Sequence, residues 1–374
     1  MKSNQLIKRL SDKEAEALCV YGSGMSSGNG NLKYKITDSQ WVKIQEARNK
    51  GLIKAFERQG IDPENSPDLW IKGKSESIRV KNPFYVQKEQ EHYFNLRDQI
   101  IQDLKSFSPS FERIKRDKST DSHLLVIDPA DVHIGKLSTA FETGEEYNNQ
   151  VAVKRVLDGV KGILDKANGF HIDRILFIGG NDILHIDTPQ RKTTAGTPQD
   201  TDGMWYSNFL MAKNLYVDVL TMLLSVADVH FTFNPSNHDY THGFFLADVI
   251  KTYFRDCKNM TFDCSIAHRK YYKYGSNLIG TTHGDGAKSQ DLPLLMAQEA
   301  SSDWANTKHR YVYTHHVHHK VSKDFIGVTV ESLRSPSGTD SWHHRNGYQH
   351  APKAVEGFIH NPTHGQIARL THLF

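Results

Sequence analysis

Short apolar runs separated by polar segments mark the chain beyond residue 123. Runs of four to seven residues, bounded by polar residues and glycine, are typical of buried β-strands. Between them, residues 153–167 and 205–227 repeat apolar positions with the period of an amphipathic helix. This alternation predicts an α/β domain whose helices cover its sheet. The predicted strands span residues 124–128, 174–179, 228–234, 278–282 and 311–314.

A helical pattern with basic residues precedes these runs. Ser11 with Glu14, and Thr37 with Gln40, each match a capping box that opens a helix. Residues 90–107 form a third stretch with helical period. Short basic helices resemble a helix-turn-helix module, and a small helical cap or oligomerisation domain is the alternative.

A polar segment separates the two patterns. Residues 106–122 contain Pro109 and lack an apolar face, which is typical of a linker. We therefore expect a small N-terminal helical module over residues 1–105, a linker over residues 106–122, and the α/β domain over residues 123–374.

Composition narrows the class of protein. The chain has 374 residues, a mean hydropathy of −0.56 and no apolar run near twenty residues, so we expect no membrane association. No secretory signal is visible at the N-terminus, and three scattered cysteines do not form a disulfide framework. These features predict a cytoplasmic protein.

Charge is distributed unevenly. Residues 1–120 hold 22 Lys and Arg against 16 Asp and Glu, whereas the remainder holds 24 against 27. A basic N-terminal part favours contact with nucleic acid. A protein partner or a second copy of the chain, bound through the same residues, is the alternative.

Histidine is abundant, with 21 residues, and many of them follow the predicted strands together with Asp and Asn. The loops at the carboxyl ends of parallel strands meet in one crevice, so these clusters should meet in space. Imidazole and oxygen donors without thiolates suit Mn²⁺, Fe, Zn²⁺ or Mg²⁺. The clusters are Asp131 and His133, Asn181 and Asp182, Asn237 to Asp239, His283 to Asp285, and His315 to His319.

The ordered motifs D-x-H, G-N-D, N-H-D, H-G and H-x-H resemble those of the calcineurin-like metallophosphoesterase superfamily. The resemblance covers residues 124–374 and is greatest to DNA-repair exonuclease-like and phage-encoded phosphoesterases, which residues 180–185 and 193–199 also resemble. It implies a β-sandwich flanked by helices as the catalytic domain. It further implies two divalent metal ions, with Mn²⁺ expected first, and location in the host cytoplasm if the chain is phage-encoded.

The resemblance also implies roles for individual residues. One metal ion would be bound by Asp131, His133 and His318. The second would be bound by Asn237, His283 and His316. Asp182 would bridge the two ions, His238 would protonate the leaving oxygen or stabilise the phosphoryl group, and Asp239 would orient His238.

This chain departs from the family pattern at three positions. Ser236 and His315 stand where the family usually has glycine, and Asn181 lies where it often has glycine or continues directly to Asp. The ligand types survive these changes, so they affect the expected loop geometry rather than the expected chemistry.

Further polar residues could contact the substrate. The candidates are His185, Arg191, Thr193, Thr194, His343 and Arg345. The function implied is hydrolysis of DNA or RNA phosphodiester bonds, by attack of a hydroxide that bridges the metal ions. One alternative is a phosphatase or phosphodiesterase that acts on nucleotides, cyclic nucleotides or phosphoproteins. Another is a non-catalytic nucleic-acid-binding or assembly subunit with a vestigial metal site.

Overall fold

The computed structural model describes residues 68–72, 77–81, 110–116 and 119–374. The chain divides into two compact units, residues 1–108 and 109–374. In the first unit, β1 (Asp68–Lys72) pairs antiparallel with β2 (Ser77–Lys81). These two strands were not predicted from the sequence. The helices it predicted within residues 1–107 lie outside the described residues.

The second unit alternates strands and helices along the chain. Its strands are β3 (His123–Asp128), β4 (Ile172–Gly180), β5 (Asp228–Asn234), β6 (Met260–Asp263), β7 (Lys270–Tyr274), β8 (Asn277–Thr281), β9 (His309–Thr314), β10 (Val321–Phe325), β11 (Val328–Ser332), β12 (Ala354–Asn361) and β13 (Gly365–Leu373). Its helices are α1 (Ala140–Thr143), α2 (Asn149–Lys166), α3 (Trp205–Val226), α4 (Tyr240–Tyr253), α5 (Leu292–Glu299), α6 (Ser301–Ala305) and α7 (Ser341–Arg345).

Two mixed sheets form the centre of this unit. The six-stranded sheet has the order β13-β12-β3-β4-β5-β6, in which β3 to β6 run parallel and β12 and β13 complete an antiparallel edge. The five-stranded sheet has the order β10-β11-β9-β8-β7, and its three central strands are parallel. The parallel strands of each sheet therefore direct their carboxyl ends towards one edge.

Strand β3 shows how the sequence produces the layers. All six of its residues are buried, and successive side chains point to opposite faces of the sheet. Leu124 and Val126 contact the core between the sheets, whereas Leu125 and Ile127 contact the core under the helices. A strand that is buried on both faces has a continuous run of apolar residues in the sequence. This run is the feature from which β3 was predicted.

Three cores separate four layers. Between the sheets, Tyr313 of β9 stacks on Phe358 of β12 with ring centroids 4.2 Å apart. On the outer face of the six-stranded sheet lie α2, α3 and α4, and α5 covers part of the five-stranded sheet through Met296. The predicted fold class, an α/β sandwich flanked by helices, is confirmed.

Helix α3 is, within the described ranges, the one helix long and apolar enough to cross a membrane by length and composition. No segment of this length and apolar composition was expected from the sequence. In the structure, Leu215, Val219 and Leu223 of this helix are buried in the core that covers the six-stranded sheet. Its Leu210 and Val226 side chains, by contrast, are exposed.

Candidate metal centre

The polar clusters predicted to converge do so. Asp131 and His133 follow β3, Asp182 follows β4, and His283 and His316 follow β8 and β9. Residues from both sheets come within reach of one another, since His283 Nδ1 lies 4.0 Å from Asp131 Oδ1. The site is therefore built on strand ends, at the position where parallel sheets commonly place their ligands.

The backbone of these loops adopts an unusual conformation. Non-glycine residues with φ near +55° are uncommon, cost about 1–3 kcal/mol each, and persist only where surrounding contacts hold them. In this site the loops bond to each other: the Asp131 N–H donates to the Asn181 carbonyl (2.8 Å), and the His133 N–H donates to the Asp182 carbonyl (2.9 Å). The site residues with positive φ are Asp131 (51°), His133 (53°), Asn181 (50°), Asp182 (59°), His316 (71°) and His318 (57°).

One group of donors consists of Asp131, His133 and His318. Their ligand atoms all lie within 4.8 Å of one another. The two imidazole Nε2 atoms are 3.2 Å apart, and His318 Nε2 lies 3.7 Å from Asp131 Oδ1. Burial, helped by the nearby His238 for one ring and Lys136 for the other, holds the pKa of His133 and His318 well below its usual range. Both rings are therefore neutral near pH 7, which is the form that binds metal ions.

A second group consists of Asp182, His283 and His316. His283 Nε2 lies 3.2 Å from Asp182 Oδ2 and 2.9 Å from Asn237 Oδ1, so Asn237 joins this group as predicted. His283 Nδ1 is buried and has no hydrogen-bond partner among the described residues. Six of the seven predicted ligands thus fall into two groups that could each hold an ion, and Asn237 lies beside the second group.

Charge in the site is only partly balanced. Burial raises the pKa of Asp131 to about 7, against the opposing effect of His283. Burial also acts on Asp182, but the charges of His283 and His238 outweigh it and hold the pKa of Asp182 below its usual range. Despite its own burial, His283 has its pKa raised to about 9 by Asp182. A divalent cation would compensate the buried carboxylates, so the donor set fits such an ion in charge as well as in chemistry.

The His238 ring is held by a backbone carbonyl and not, as had been predicted, by Asp239. Its Nδ1–H donates to the carbonyl oxygen of His185 (3.0 Å), and its backbone N–H donates to Asp182 Oδ1 (2.9 Å). Asp239 was expected to orient this imidazole. Instead its carboxylate accepts from the Ser236 hydroxyl (2.7 Å) and from the Leu184 N–H (2.9 Å).

The predicted contact between Asp239 and the His238 ring is therefore wrong. Asp239 is the N-cap residue of α4, and its side chain is buried against the loop after β4 rather than beside the imidazole. The effect of Asp239 on the site passes through Ser236, whose Oγ also accepts from the Asp182 N–H (2.7 Å).

The three departures from the family pattern have structural explanations. Ser236 joins Asp239 to the backbone of Asp182, as described above. His315 is buried, with its ring nitrogens 2.9 Å from Asp128 Oδ2 and 3.1 Å from the Thr282 carbonyl. Asn181 has a φ of 50°, a conformation that Asn tolerates better than most other non-glycine residues.

A cavity of about 770 Å³ opens above the two donor groups. Asp182, Asn237, His238, His316 and His318 lie in its wall. Of the predicted substrate contacts, His185, Thr193, His343 and Arg345 also line this cavity.

Two of the predicted substrate contacts lie elsewhere. Arg191 and Thr194 are not among the residues that line the cavity. Thr194 instead ties the loop after β4 to α4, because its hydroxyl donates to Asp187 Oδ2 (2.9 Å) and accepts from the Tyr240 N–H (3.1 Å). Arg191 is exposed at a turn with a φ of 58°.

His185 is closer to the centre than predicted. Its Nδ1 lies 3.3 Å from His133 Nδ1, and its ring stacks on His238 with centroids 5.2 Å apart. These three histidines form a further group that could hold a metal ion. In the sequence, the only indication that His185 could be a metal ligand was its position three residues after Asp182.

Sequence reasoning missed a buried lysine beside the site. Lys136 Nζ lies 2.8 Å from Asp340 Oδ2, and Asp340 Oδ1 lies 2.7 Å from His343 Nδ1. The ring of His343 stacks on His318 with centroids 4.8 Å apart. Lys136 and Asp340 therefore position His343 over a predicted ligand, although about two hundred residues separate them in the chain.

Comparisons with solved structures returned, among others, a phosphodiesterase, Vps29 proteins and a 5′-nucleotidase. An archaeal phosphodiesterase is 9% identical with a TM-score of 0.32, over 67% of this chain and 99% of its own. Wild-type Vps29 from Entamoeba histolytica, complexed with Zn²⁺, is 11% identical with a TM-score of 0.29, over 67% and 98%. A 5′-nucleotidase from Staphylococcus aureus is 12% identical with a TM-score of 0.32, over 67% and 54%.

No family model and no curated protein matches the chain. At these identities and TM-scores the neighbours carry no argument about chemistry. The chemistry rests on the donor groups and the cavity described above.

Proposed function

We propose that the chain is a dinuclear metal-dependent phosphoesterase that hydrolyses phosphodiester bonds of DNA or RNA. The observation that supports this most is the convergence of two donor groups beneath one cavity, whose wall includes His318 of the first group and Asp182 and His316 of the second. Asp131, His133 and His318 would hold one divalent ion. Asn237, His283 and His316 would hold the second, with Asp182 between them.

Two such ions, when bound, act as Lewis acids towards a phosphoryl group and lower the pKa of bound water. The protein supplies position and protons. Because the Nδ1–H of His238 is committed to the His185 carbonyl, its Nε2 is the ring nitrogen available to the cavity. In the imidazolium form, which carries a proton on both ring nitrogens, His238 would donate the Nε2 proton to the leaving oxygen or stabilise the negative charge of the phosphoryl group.

The support for a polymeric substrate comes from charge. Residues 1–120 carry an excess of six positive charges, and Arg345 lines the cavity. A strand whose scissile phosphate lies in the cavity would extend beyond it and could contact basic residues elsewhere on the chain. Contacts with phosphates release counterions, so binding of a polymer should weaken as salt concentration rises.

The experiment compares labelled single- and double-stranded DNA with bis-p-nitrophenyl phosphate, in Mn²⁺ and at two salt concentrations. Salt-sensitive cleavage of DNA that EDTA abolishes would support the nuclease. Cleavage of the small ester alone would contradict the polymer substrate and favour a nucleotide or phosphoprotein. No cleavage of either by protein that binds Mn²⁺ stoichiometrically would contradict the enzymatic function and favour a binding subunit.

A further inference from the structure

Two large aromatic side chains stand exposed at the cavity that contains the candidate metal centre. Trp342 is 62% exposed and Tyr348 is 58% exposed, and both line the cavity. Their ring centroids lie 5.8 Å apart, with an angle of 39° between the rings. Single exposed apolar side chains are common on protein surfaces, whereas a contacting aromatic pair at the wall of a cavity offers a flat apolar surface to a bound molecule.

The backbone holds this pair in place. Asp340 caps α7 by accepting from the His343 N–H (2.8 Å). After the helix, the Tyr348 N–H donates to the His343 carbonyl (2.9 Å), and Asn346 Nδ2 donates to the Trp342 carbonyl (2.8 Å). The two rings are thus presented by a hydrogen-bonded segment that is anchored by Asp340, itself paired with the buried Lys136.

The aromatic pair is linked to the predicted metal ligand His318 through ring contacts with His343. His343 stacks on the predicted ligand His318 with centroids 4.8 Å apart, and Trp342 meets His343 edge to face at 5.1 Å. Arg345 lines the same cavity and supplies positive charge. A molecule with a phosphate at the donor groups would therefore place its next flat, apolar group against Trp342 and Tyr348.

We propose that Trp342 and Tyr348 form a stacking platform for an unpaired nucleobase next to the scissile phosphate. This inference rests on the proposed function and narrows it to single-stranded or locally unpaired nucleic acid. Every nucleobase has a face that stacks on an aromatic ring, so the platform accepts any base sequence. Bases inside a duplex are already stacked on their neighbours and do not reach it.

The test measures binding in Mn²⁺ with strands whose phosphorothioate linkages resist cleavage, so that the metal ions are in place and hydrolysis plays no part in the result. Calorimetry on the full chain compares a single-stranded thymidine hexanucleotide with a hexamer of the same backbone that lacks bases. We expect the wild-type protein to bind the base-bearing strand about tenfold more tightly. In a Trp342→Ala, Tyr348→Ala double variant this ratio should fall close to one, and Trp342→Phe should retain most of it.

The matched control is Phe245→Ala, which removes an aromatic ring that is 52% exposed and is not among the residues that line the cavity. It should keep the wild-type ratio. Equal affinity of the wild-type protein for the two strands would overturn the platform, as would a double variant that keeps the ratio. Hydrolysis of bis-p-nitrophenyl phosphate by the wild-type protein in Mn²⁺ is measured separately, so loss of the proposed function is distinguished from loss of the platform.

Discussion

Replacement of Ser236 by alanine tests how the site holds its central carboxylate. The Ser236 hydroxyl accepts from the Asp182 N–H and donates to Asp239, with both distances 2.7 Å. All three residues are buried. Alanine keeps the backbone and Cβ but leaves the Asp182 N–H without its acceptor and Asp239 with one donor fewer.

The expected loss of stability comes from the Asp182 N–H and the Asp239 carboxylate, which both lose a hydrogen-bond partner. A buried polar group left without its partner costs about 1–3 kcal/mol, so the substitution should lower the free energy of unfolding by roughly 2–4 kcal/mol. For a domain of this size each kcal/mol lowers Tm by roughly 2–4 °C, which gives a decrease on the order of 10 °C. Asp182 has a φ of 59°, and loss of this hydrogen bond also removes one of the contacts that hold that conformation.

The assay is thermal unfolding by circular dichroism, with and without Mn²⁺. At about a hundred times its Kd, a ligand that binds only the folded state stabilises it by about 2.7 kcal/mol, so Mn²⁺ should raise the Tm of the wild-type protein by several degrees. Ser236→Ala should lower Tm without metal and reduce this Mn²⁺-induced rise, because the Asp182 carboxylate is no longer held in place.

Ser225→Ala is the matched control, because its exposed hydroxyl donates only to the Met222 carbonyl in the same helix. It should change Tm by about a degree or less. A Ser236→Ala protein with wild-type Tm and the full Mn²⁺-induced rise would refute the positioning role. A lower Tm with the full rise would show that the hydrogen bonds stabilise the fold without shaping the metal site.

Two further substitutions test the packing beside the site, at Gly180, and away from it, at His360, whose ring is hydrogen-bonded to Tyr313. Gly180→Ala should lower stability by about 3 kcal/mol or more, because Gly180 has a φ of +81° and a Cβ there would lie 2.2 Å from the Asn234 carbonyl oxygen; denaturant unfolding checks this. His360 has its pKa lowered to about 3 by burial and by the charge of His309, so its contribution to stability is present above pH 6.5 and is lost as pH falls towards 3. We expect the wild-type protein to lose about 2–3 kcal/mol through this group between pH 6.5 and 4.5, and a His360→Gln protein to lose correspondingly less, as measured by urea unfolding at the two pH values.

The elements that position the site were predictable from the sequence. The predicted strands at residues 124–128, 228–234 and 311–314 lie within or coincide with β3, β5 and β9. Each is a buried apolar run that ends at a polar cluster, and this combination gives a strong local signal. The meeting of these clusters in space followed from the convergence of parallel strand ends, whereas the division of the donors into two groups was implied by the family resemblance.

The edges of the second sheet gave no such signal. Most side chains of β10 are exposed, and those of β7 are mostly half-buried, so neither forms a continuous apolar run. Strands of this kind are defined by pairing with a neighbour that is distant in the chain or by a turn, and their own residues specify them weakly.

Side-chain contacts between residues that are far apart in the chain could not be predicted from the sequence either. The Lys136–Asp340 pair joins two loops whose relative position depends on the whole fold. The partner of Asp239 was also assigned wrongly: the family resemblance implied a contact with the His238 ring, but the Asp239 carboxylate, at the start of α4, accepts from Ser236 instead.

Hydrolysis of bis-p-nitrophenyl phosphate by the wild-type and Asp182→Asn proteins is the most direct test of a dinuclear phosphoesterase. Asparagine keeps the size of the side chain and an oxygen that can accept from the His238 N–H, but it removes the charge that two cations would share. The account predicts Mn²⁺-dependent hydrolysis by the wild-type protein, abolished by EDTA and reduced at least a hundredfold by Asp182→Asn in a protein that remains folded. Hydrolysis that persists unchanged in EDTA, or at the wild-type rate in Asp182→Asn, would contradict it.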